Sequence, residues 1–182
     1  MVIYIHGFSS SGFGSKAQRL RQYYQERGVG FMAPSLSYVP DLAIQTLCDI
    51  IESQEETVSL MGSSLGGYYA LFLAKKYKLK TVLINPSIYP YQTLDAYRGK
   101  VANFYDESYF EWNDGHIEML KKYEVEDVET EVLLLLQKGD ALLDYREALQ
   151  KLPKSKAVVE EGGDHGFVGI ERHFENIWVF LK

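Results

Sequence analysis

Short apolar segments rich in β-forming residues recur along the chain and alternate with longer segments of helical periodicity. Six of them are predicted as strands, at residues 2–5, 29–33, 57–61, 81–84, 131–137 and 157–160. Near-continuous apolar runs are typical of parallel strands that helices cover on both faces. The pattern therefore predicts an α/β fold with a mostly parallel sheet of about six strands and helices on both of its faces.

The segments between these strands carry apolar residues at the spacing of one helix face. After the first strand, Ala17, Leu20 and Tyr24 form such a stripe, with Ser15 expected at the N-cap and Gly28 at the end. Four further helices are predicted on the same grounds: one capped by Asp41 with Ile44, Leu47, Cys48 and Ile51 on its stripe, one at residues 65–78, one capped by Asp144 and running through Leu149, and a last one with Ile170, Phe174, Ile177, Trp178 and Leu181.

Residues 87–129 interrupt this alternation. They contain no clear strand, are rich in Tyr, Asp and Glu, and hold one short predicted helix at residues 116–123. Because a structureless loop of that length is uncommon inside a domain, we interpret the segment as a small cap inserted after the fourth strand. At roughly 150 residues per domain, the expectation is a single α/β domain spanning residues 1–182.

Composition and charge exclude several classes of partner. Hydrophobic residues make up 46% of the chain, and 19 Lys and Arg stand against 25 Asp and Glu, so the net charge is -6. This balance disfavours binding to nucleic acid or to anionic lipid. Cys48 is the only cysteine, which excludes an intramolecular disulfide and a cysteine-based zinc site. The sequence shows no membrane span and no signal segment, so we expect a cytoplasmic location.

A candidate nucleophile follows the third predicted strand. Residues 62–67 read Gly-Ser-Ser-Leu-Gly-Gly and lead directly into a helix. A Gly-x-Ser-x-Gly pattern between a strand and a helix indicates a nucleophile elbow, a sharp turn that exposes the central serine above the sheet edge. The sequence therefore predicts Ser64 as the nucleophile.

A serine hydroxyl becomes an effective nucleophile when a base accepts its proton. His165 lies in a glycine-rich loop at residues 161–167, directly after the sixth predicted strand, which allows its ring to approach the serine. His6 is another candidate, but at the end of the first strand its ring is expected to bond to neighbouring backbone. His116 and His173 lack a comparable setting, so His165 is favoured as the base.

The imidazole needs an acceptor at its other nitrogen, which fixes the tautomer and stabilises the cation. Asp140 follows a buried strand after a short turn, which brings its carboxylate to the same sheet edge. Asp144 and Asp164 are the alternatives, although the first is also expected to cap a helix and the second is the immediate neighbour of His165. The favoured order of serine, aspartate and histidine is that of the α/β-hydrolases.

Attack on a carbonyl builds negative charge on its oxygen, which requires hydrogen-bond donors already in place. The Leu65 N–H follows the nucleophile, and the Phe8 N–H lies in the loop after the first strand. These two loops meet if the first strand is the neighbour of the third. Because these groups supply the chemistry, no metal or organic cofactor is expected.

Five sequence strings resemble, in order, those of the YqiA-like bacterial esterases. They are Tyr-Ile-His-Gly-Phe at 4–8, Gly-Ser-Ser-Leu-Gly-Gly-Tyr-Tyr-Ala at 62–70, Asn-Pro at 85–86, Gly-Asp at 139–140 with Leu-Asp-Tyr-Arg at 143–146, and Glu-Gly-Gly-Asp-His at 161–165. The resemblance implies a small, three-layer α/β-hydrolase whose shortened sheet lacks the usual first two strands. It also implies esterase or thioesterase activity on acyl esters or acyl-CoA, with Ser64, Asp140 and His165 as the triad. Residues 97–127 depart from the family pattern, so no acyl-chain preference is transferred.

An acyl pocket is expected between residues 85–91 and the aromatic rings of the cap. Five residues are candidates for substrate contact: His6, Pro86, Tyr89, Tyr105 and Trp112. The acidic balance of the cap disfavours a highly anionic leaving group there. The expected partner is a small-molecule acyl ester or thioester.

Rival functions were weighed on the same residues. Residues 7–12 have the glycine spacing of a phosphate-binding loop, but Phe13 stands where that loop requires lysine. Residues 12–17 match the glycine pattern of a dinucleotide site, but the pattern starts several residues past the first strand and no ribose-binding acid follows the second. Two alternatives remain: a non-catalytic α/β-hydrolase-like scaffold that binds a ligand or protein, and an acyltransferase that uses the same triad.

Overall fold

The computed structural model describes residues 1–182. The eight strands are β1 Val2–Ile5, β2 Phe31–Met32, β3 Ser59–Ser64, β4 Thr81–Pro86, β5 Gly99–Ala102, β6 Tyr109–Trp112, β7 Val132–Gln137 and β8 Lys156–Glu160. The seven α-helices are α1 Ser15–Gln25, α2 Pro40–Glu52, α3 Leu65–Tyr77, α4 Pro90–Thr93, α5 Asp114–Lys121, α6 Tyr145–Lys151 and α7 Phe174–Leu181. Short 3-10 segments cover Asp95–Tyr97 and Ile170–His173. None of the helices has the length and apolar character to cross a membrane.

Six strands form one parallel sheet in the order β2-β1-β3-β4-β7-β8. All six predicted strands are present in it, which confirms the predicted fold class. The first strand lies beside the third, as expected, so the loops after β1 and β3 meet at one sheet edge. The carboxyl ends of parallel strands are where open α/β sheets place their sites.

The core consists of two apolar clusters, one on each face of the sheet. Ile3 and Ile5 of β1 point into the cluster that includes α2 and α3, whereas Val2 and Tyr4 point into the cluster that includes α1 and α7. This division follows from the alternation of side chains along a strand. Because β1, β3 and β4 are covered on both sides, they provide a rigid base for the loops at their carboxyl ends.

Two predicted helix starts are shifted. Gly14, not Ser15, is the N-cap of α1, and Val39, not Asp41, is the N-cap of α2. The second shift has a clear cause, because Pro40 occupies the first helical position, where its missing N–H costs nothing and its fixed φ suits the helix. Asp41 lies instead in the first turn, where a carboxylate is favourable near the helix dipole.

The inserted segment contains a β-hairpin that the sequence reasoning did not predict. Strands β5 and β6 pair antiparallel, with Val101 opposite Phe110 and Gly99 opposite Trp112. Phe110 and Trp112 are buried, whereas Tyr109 and Glu111 are exposed. The interpretation of this segment as lacking strands was therefore wrong, and its two buried rings belong to the same cluster as α2 and α3.

Candidate active site

Ser64 stands at the junction of β3 and α3 in a strained conformation. Its φ of 55° and ψ of -124° lie where residues with a side chain are rarely found, at a cost of about 1–3 kcal/mol. The turn is tight enough to exclude side chains around it. A Cβ at Gly62 would lie 2.2 Å from the Gly66 carbonyl oxygen, and one at Gly66 would lie 2.1 Å from the Ile5 carbonyl oxygen. The sequence pattern at residues 62–67 thus forms the sharp turn that it predicts.

The structure brings the ring of His165 to this serine. His165 Nε2 lies 3.0 Å from Ser64 Oγ, although 101 positions separate the two residues. The ring is carried by the loop after β8, which turns through Gly162 and Gly163 at φ values of 68° and 77°. This distance suits a hydrogen bond between the serine hydroxyl and the ring nitrogen.

Asp140 lies on the other side of the ring. Its Oδ2 is 2.8 Å from His165 Nδ1, and its Oδ1 accepts hydrogen bonds from the N–H groups of Leu142 at 2.8 Å and Leu143 at 3.0 Å. Burial disfavours the charged form, but the hydrogen bonds from His165 and from the two backbone N–H groups outweigh it and hold the pKa of Asp140 below its usual value. An ionised carboxylate can only accept, so His165 carries its proton on Nδ1 and offers Nε2 to Ser64.

The two alternative aspartates have other surroundings. Asp144 is the N-cap of α6, as expected, and its carboxylate accepts from the backbone and side chain of Arg146. Asp164 is exposed, and its hydrogen bonds involve its backbone. Of the three candidates, only Asp140 bonds to the ring of His165.

Gln137 and Asn85 hold the loop that carries His165. Gln137 Oε1 accepts from the N–H groups of Asp164 at 3.2 Å and Val168 at 2.9 Å. Asn85 Nδ2 donates to the Asp164 carbonyl at 2.9 Å, and Asn85 Oδ1 accepts from the Gln137 N–H at 2.9 Å. Sequence reasoning missed Gln137, although a polar residue at the end of the apolar run at 132–136 is the kind of exception that signals a buried role.

The loop after β1 packs directly against Ser64. A Cβ at Gly7 would lie 3.1 Å from Ser64 Cβ, so the backbone of this loop passes as close as the chain allows. The Phe8 N–H that follows donates no hydrogen bond within the protein. Leu65 is the first residue of α3, so its N–H has no carbonyl one turn earlier in the helix. Both residues line the same cavity as Ser64.

His6 orients that loop rather than facing the serine. Its Nε2 accepts from the Leu36 N–H at 3.0 Å, which leaves Nδ1 to donate to the Gly7 carbonyl at 2.8 Å. Burial lowers the pKa of His6, opposed by the bond to Gly7, so the ring is neutral. Because a peptide N–H points opposite to its carbonyl, fixing the Gly7 carbonyl also fixes the direction of the Phe8 N–H.

A cavity of about 370 Å³ opens in front of Ser64 and His165. Its lining is of two kinds. The apolar part includes Leu94, Tyr97, Phe104, Leu142 and Leu143, and the polar part includes Ser10, Ser11, Ser15 and Lys16. A volume of this size is at the lower end of the range for small-molecule sites.

The five residues expected to contact substrate do not line this cavity. Trp112 is fully buried, because it alternates with exposed residues along β6, and its Nε1 donates to the Leu94 carbonyl at 3.1 Å. Tyr105 projects to the surface and stacks on Phe13. The remaining three make other contacts. The His6 ring bonds to backbone groups, Pro86 packs against the Gly67 backbone, and Tyr89 packs on the core. Two other aromatic residues from the segment at 87–129, Tyr97 and Phe104, do line the cavity.

Solved structures show which class of protein has this fold. The putative hydrolase from Agrobacterium vitis S4 superposes with a TM-score of 0.81 at 20% identity and covers 100% of this chain and 87% of its own. Alpha/beta hydrolase domain-containing protein 10 from mouse superposes with a TM-score of 0.79 at 20% identity, and the match covers 98% of this chain and 88% of the mouse chain. Est1E from Butyrivibrio proteoclasticus, solved with ferulic acid bound, superposes with a TM-score of 0.78 at 14% identity, and the match covers 99% of this chain and 87% of Est1E. The protein therefore has the α/β-hydrolase fold.

The chain belongs to the family described as "Uncharacterised protein family (UPF0227)", which matches residues 1–182. UPF0227 protein PM0825 from Pasteurella multocida (strain Pm70) is 26% identical over 188 residues, which cover 100% of this chain and 99% of the relative. UPF0227 protein YcfP from Salmonella gallinarum (strain 287/91 / NCTC 13346) is 25% identical over 186 residues, covering 99% and 98%. The resemblance drawn from the five sequence strings is confirmed at the level of family and fold.

Proposed function

We propose that this protein is a serine hydrolase that cleaves carboxylic esters or thioesters through an acyl-enzyme on Ser64. The observation that carries the proposal is the continuous path of hydrogen bonds from Ser64 Oγ to His165 Nε2, at 3.0 Å, and from His165 Nδ1 to Asp140 Oδ2, at 2.8 Å. Three residues far apart in sequence meet in the arrangement that activates a serine, and two of them, Ser64 and His165, line one cavity.

In the first half of the reaction, Ser64 Oγ attacks the acyl carbonyl carbon while its proton passes to His165 Nε2. The carbonyl oxygen becomes an oxyanion, which accepts hydrogen bonds from the N–H groups of Phe8 and Leu65. When the tetrahedral intermediate collapses, the bond to the alcohol or thiol breaks and His165 returns the proton to the leaving group. Asp140 stabilises the imidazolium that exists between these two transfers.

In the second half, water attacks the carbonyl carbon of the acyl-enzyme and gives a proton to His165 Nε2. The bond to Ser64 Oγ then breaks, and His165 protonates that oxygen as the carboxylic acid leaves. The same two N–H groups serve both tetrahedral intermediates. The apolar side chains of Leu142, Leu143 and Tyr97 in the cavity lining suit the hydrocarbon part of an acyl group.

The test combines covalent labelling with turnover. A fluorophosphonate probe reacts only with an activated serine, so we expect the wild-type protein to be labelled and Ser64→Ala to be unlabelled. Ser63→Ala is the matched control for the adjacent hydroxyl and should keep the label on Ser64, as mapped by mass spectrometry of the labelled peptide. With 4-nitrophenyl esters and acyl-CoA thioesters of increasing chain length, Ser64→Ala should lower kcat by roughly 10⁴–10⁶-fold.

Two outcomes would reject the proposal. A folded wild-type protein that is neither labelled nor active on either substrate series would leave the non-catalytic binding scaffold as the better description. Near-wild-type turnover by Ser64→Ala, with circular dichroism unchanged, would show that the reaction does not pass through this serine. Acyl transfer to an added alcohol in place of water, detected by mass spectrometry of the products, would identify an acyltransferase.

A further inference from the structure

Lys16 places a positive charge beside the nucleophile. It lies in the first turn of α1, lines the cavity in front of Ser64, and donates from Nζ to Ser63 Oγ at 2.7 Å. Ser63 is the residue directly before Ser64 in the elbow. The Lys16 ammonium forms no ion pair with a carboxylate, and its bond to Ser63 uses only one of its three donors.

The rest of the cavity lining leaves this charge uncompensated. Lys16 is the only lysine or arginine among the lining residues, and none of them is an aspartate or glutamate. Burial lowers the pKa of Lys16 to about 8, opposed by the more distant charges of Asp164 and Asp140, so the side chain is mostly protonated at neutral pH. A cation that is largely removed from water without a paired anion is unfavourable unless something else supplies the anion.

The start of α1 adds to the positive potential in the same place. This helix has no acidic residue in its first turn and no side-chain cap, and the N–H groups of Ser15, Lys16 and Ala17 donate no hydrogen bond within the protein. These three residues line the cavity. Free N–H groups and the helix dipole favour a negative charge at this point, in addition to the ammonium of Lys16.

The acidic residues of the inserted segment do not oppose this potential inside the cavity. Asp114 pairs with Arg98 at 2.8 Å, and Asp106 accepts from Ser108 at 2.7 Å, both on the exposed surface. Neither lines the cavity. The expectation that this segment disfavours an anionic substrate therefore does not extend to the space in front of Ser64.

We propose that Lys16 is a specificity-determining residue that binds an anionic group of the substrate, so that the ester cleaved at Ser64 carries a carboxylate or phosphate near the scissile carbonyl. This inference rests on the proposed function of Ser64 and narrows its substrate class. The ammonium pairs with the anion while the apolar side chains of the cavity contact the hydrocarbon part of the same molecule. A neutral ester of equal length would leave the cation unpaired.

The test compares matched anionic and neutral esters. For an anion on the acyl side, 4-nitrophenyl hydrogen adipate is compared with its neutral methyl ester, and release of 4-nitrophenol is followed for both. For an anion on the leaving group, 4-acetoxybenzoate is compared with 4-acetoxybenzamide. The pair of esters in which the anionic member is preferred identifies which side of the scissile bond carries the anion. Inorganic phosphate is added separately as an inhibitor of neutral ester hydrolysis.

We expect wild-type kcat/KM to favour the anionic member of at least one pair. Lys16→Met should reduce that preference by about 10- to 100-fold, mainly through KM, because one charge-assisted bond is lost. Lys16→Arg should restore most of it. Lys154→Met removes an exposed lysine remote from the cavity and should change nothing. Phosphate should inhibit the wild type competitively and Lys16→Met much more weakly.

The result separates this inference from the proposed function. If Lys16→Met lowers kcat/KM equally for both members of each pair, Lys16 supports the elbow through Ser63 and the inference is wrong. If the wild type prefers neither anionic ester and phosphate does not inhibit, the inference is also wrong. Fluorophosphonate labelling of Ser64 would then still support the proposed hydrolase function. Absence of both labelling and turnover in the folded wild type would overturn the two proposals together.

Discussion

Replacing Gln137 with methionine tests how the loop that carries His165 is held. Methionine keeps the length and apolar stem of the buried side chain but removes its amide. Four hydrogen bonds are lost: Oε1 accepts from the N–H groups of Asp164 and Val168, and Nε2 donates to Glu160 Oε2 at 2.8 Å and to the Val168 carbonyl at 2.9 Å. The loop also packs closely on this amide, because a Cβ at Gly163 would lie 2.0 Å from Gln137 Oε1.

The expected loss in the free energy of unfolding depends on which of these groups keep another hydrogen-bond partner. Glu160 Oε2 and the Val168 carbonyl retain Arg172 as a donor, at 2.8 Å and 3.2 Å. The two N–H groups that lose their acceptor would each cost about 1–3 kcal/mol if they stayed dry. Because Asp164 and Val168 are exposed, water can replace the amide at part of this cost. We therefore expect the free energy of unfolding to fall by roughly 2 kcal/mol, a large share of the ~5–15 kcal/mol of a typical domain.

Urea unfolding followed by circular dichroism measures the loss of stability, and ester hydrolysis measures the effect on catalysis. A loosened loop misplaces the His165 ring, so kcat should fall by about 10²-fold while KM changes little. Gln150→Met, at an exposed position of α6, is the matched control and should change neither quantity. If Gln137→Met unfolds at the same urea concentration as this control and keeps its kcat, the amide does not hold the loop and the argument fails.

Three further changes test other parts of the site. Asp140→Asn keeps the size of the side chain but favours the wrong tautomer of His165, and kcat measured on an aryl ester should fall by roughly 10³–10⁴-fold. Gly7→Ala places a Cβ 3.1 Å from Ser64 Cβ, and kcat/KM should fall by about 10²-fold because the Phe8 N–H moves with the loop. The preference for an anionic over a neutral ester, measured as a ratio so that pH effects common to both esters cancel, should decline as the pH rises through about 8, where Lys16 loses its proton; a constant ratio would contradict the role of Lys16.

The parallel sheet could be predicted because its central strands β1, β3, β4 and β7 are buried on both faces. Such strands are marked by uninterrupted apolar runs, as in β7, where every residue from Val132 to Gln137 is buried. The hairpin of β5 and β6 gives a weaker signal. Each strand has only four residues, and in Tyr109–Trp112 buried and exposed positions alternate, so no apolar run forms. Its pairing depends on tertiary contacts of Phe110 and Trp112 with the core, which short-range patterns do not reveal.

The proximity of Ser64, Asp140 and His165 could be predicted because each lies at or just after the carboxyl end of a strand in one parallel sheet, and these ends share an edge. The substrate contacts could not be predicted, since they depend on the direction of single side chains. Trp112 and Tyr105 were expected to roof a pocket, yet one points into the core and the other to solvent. Lys16 was missed for a different reason: one lysine near a helix start is unremarkable in sequence, and its significance comes from a cavity lining that contains no carboxylate.

Residues that hold the site and residues that serve the substrate should respond differently to removal. Gln137 bonds to backbone groups of the loop that carries His165 at all times, so its loss should lower stability whether or not substrate is present. Lys16 bears a half-buried charge that forms no ion pair within the protein, and the ion pair proposed for it exists only when an anion is bound. Lys16→Met loses the bond to Ser63 but also the cost of burying the cation, so the free energy of unfolding should stay unchanged or rise by about 1 kcal/mol. A drop of 2 kcal/mol or more in urea unfolding of Lys16→Met would instead place Lys16 among the residues that support the fold.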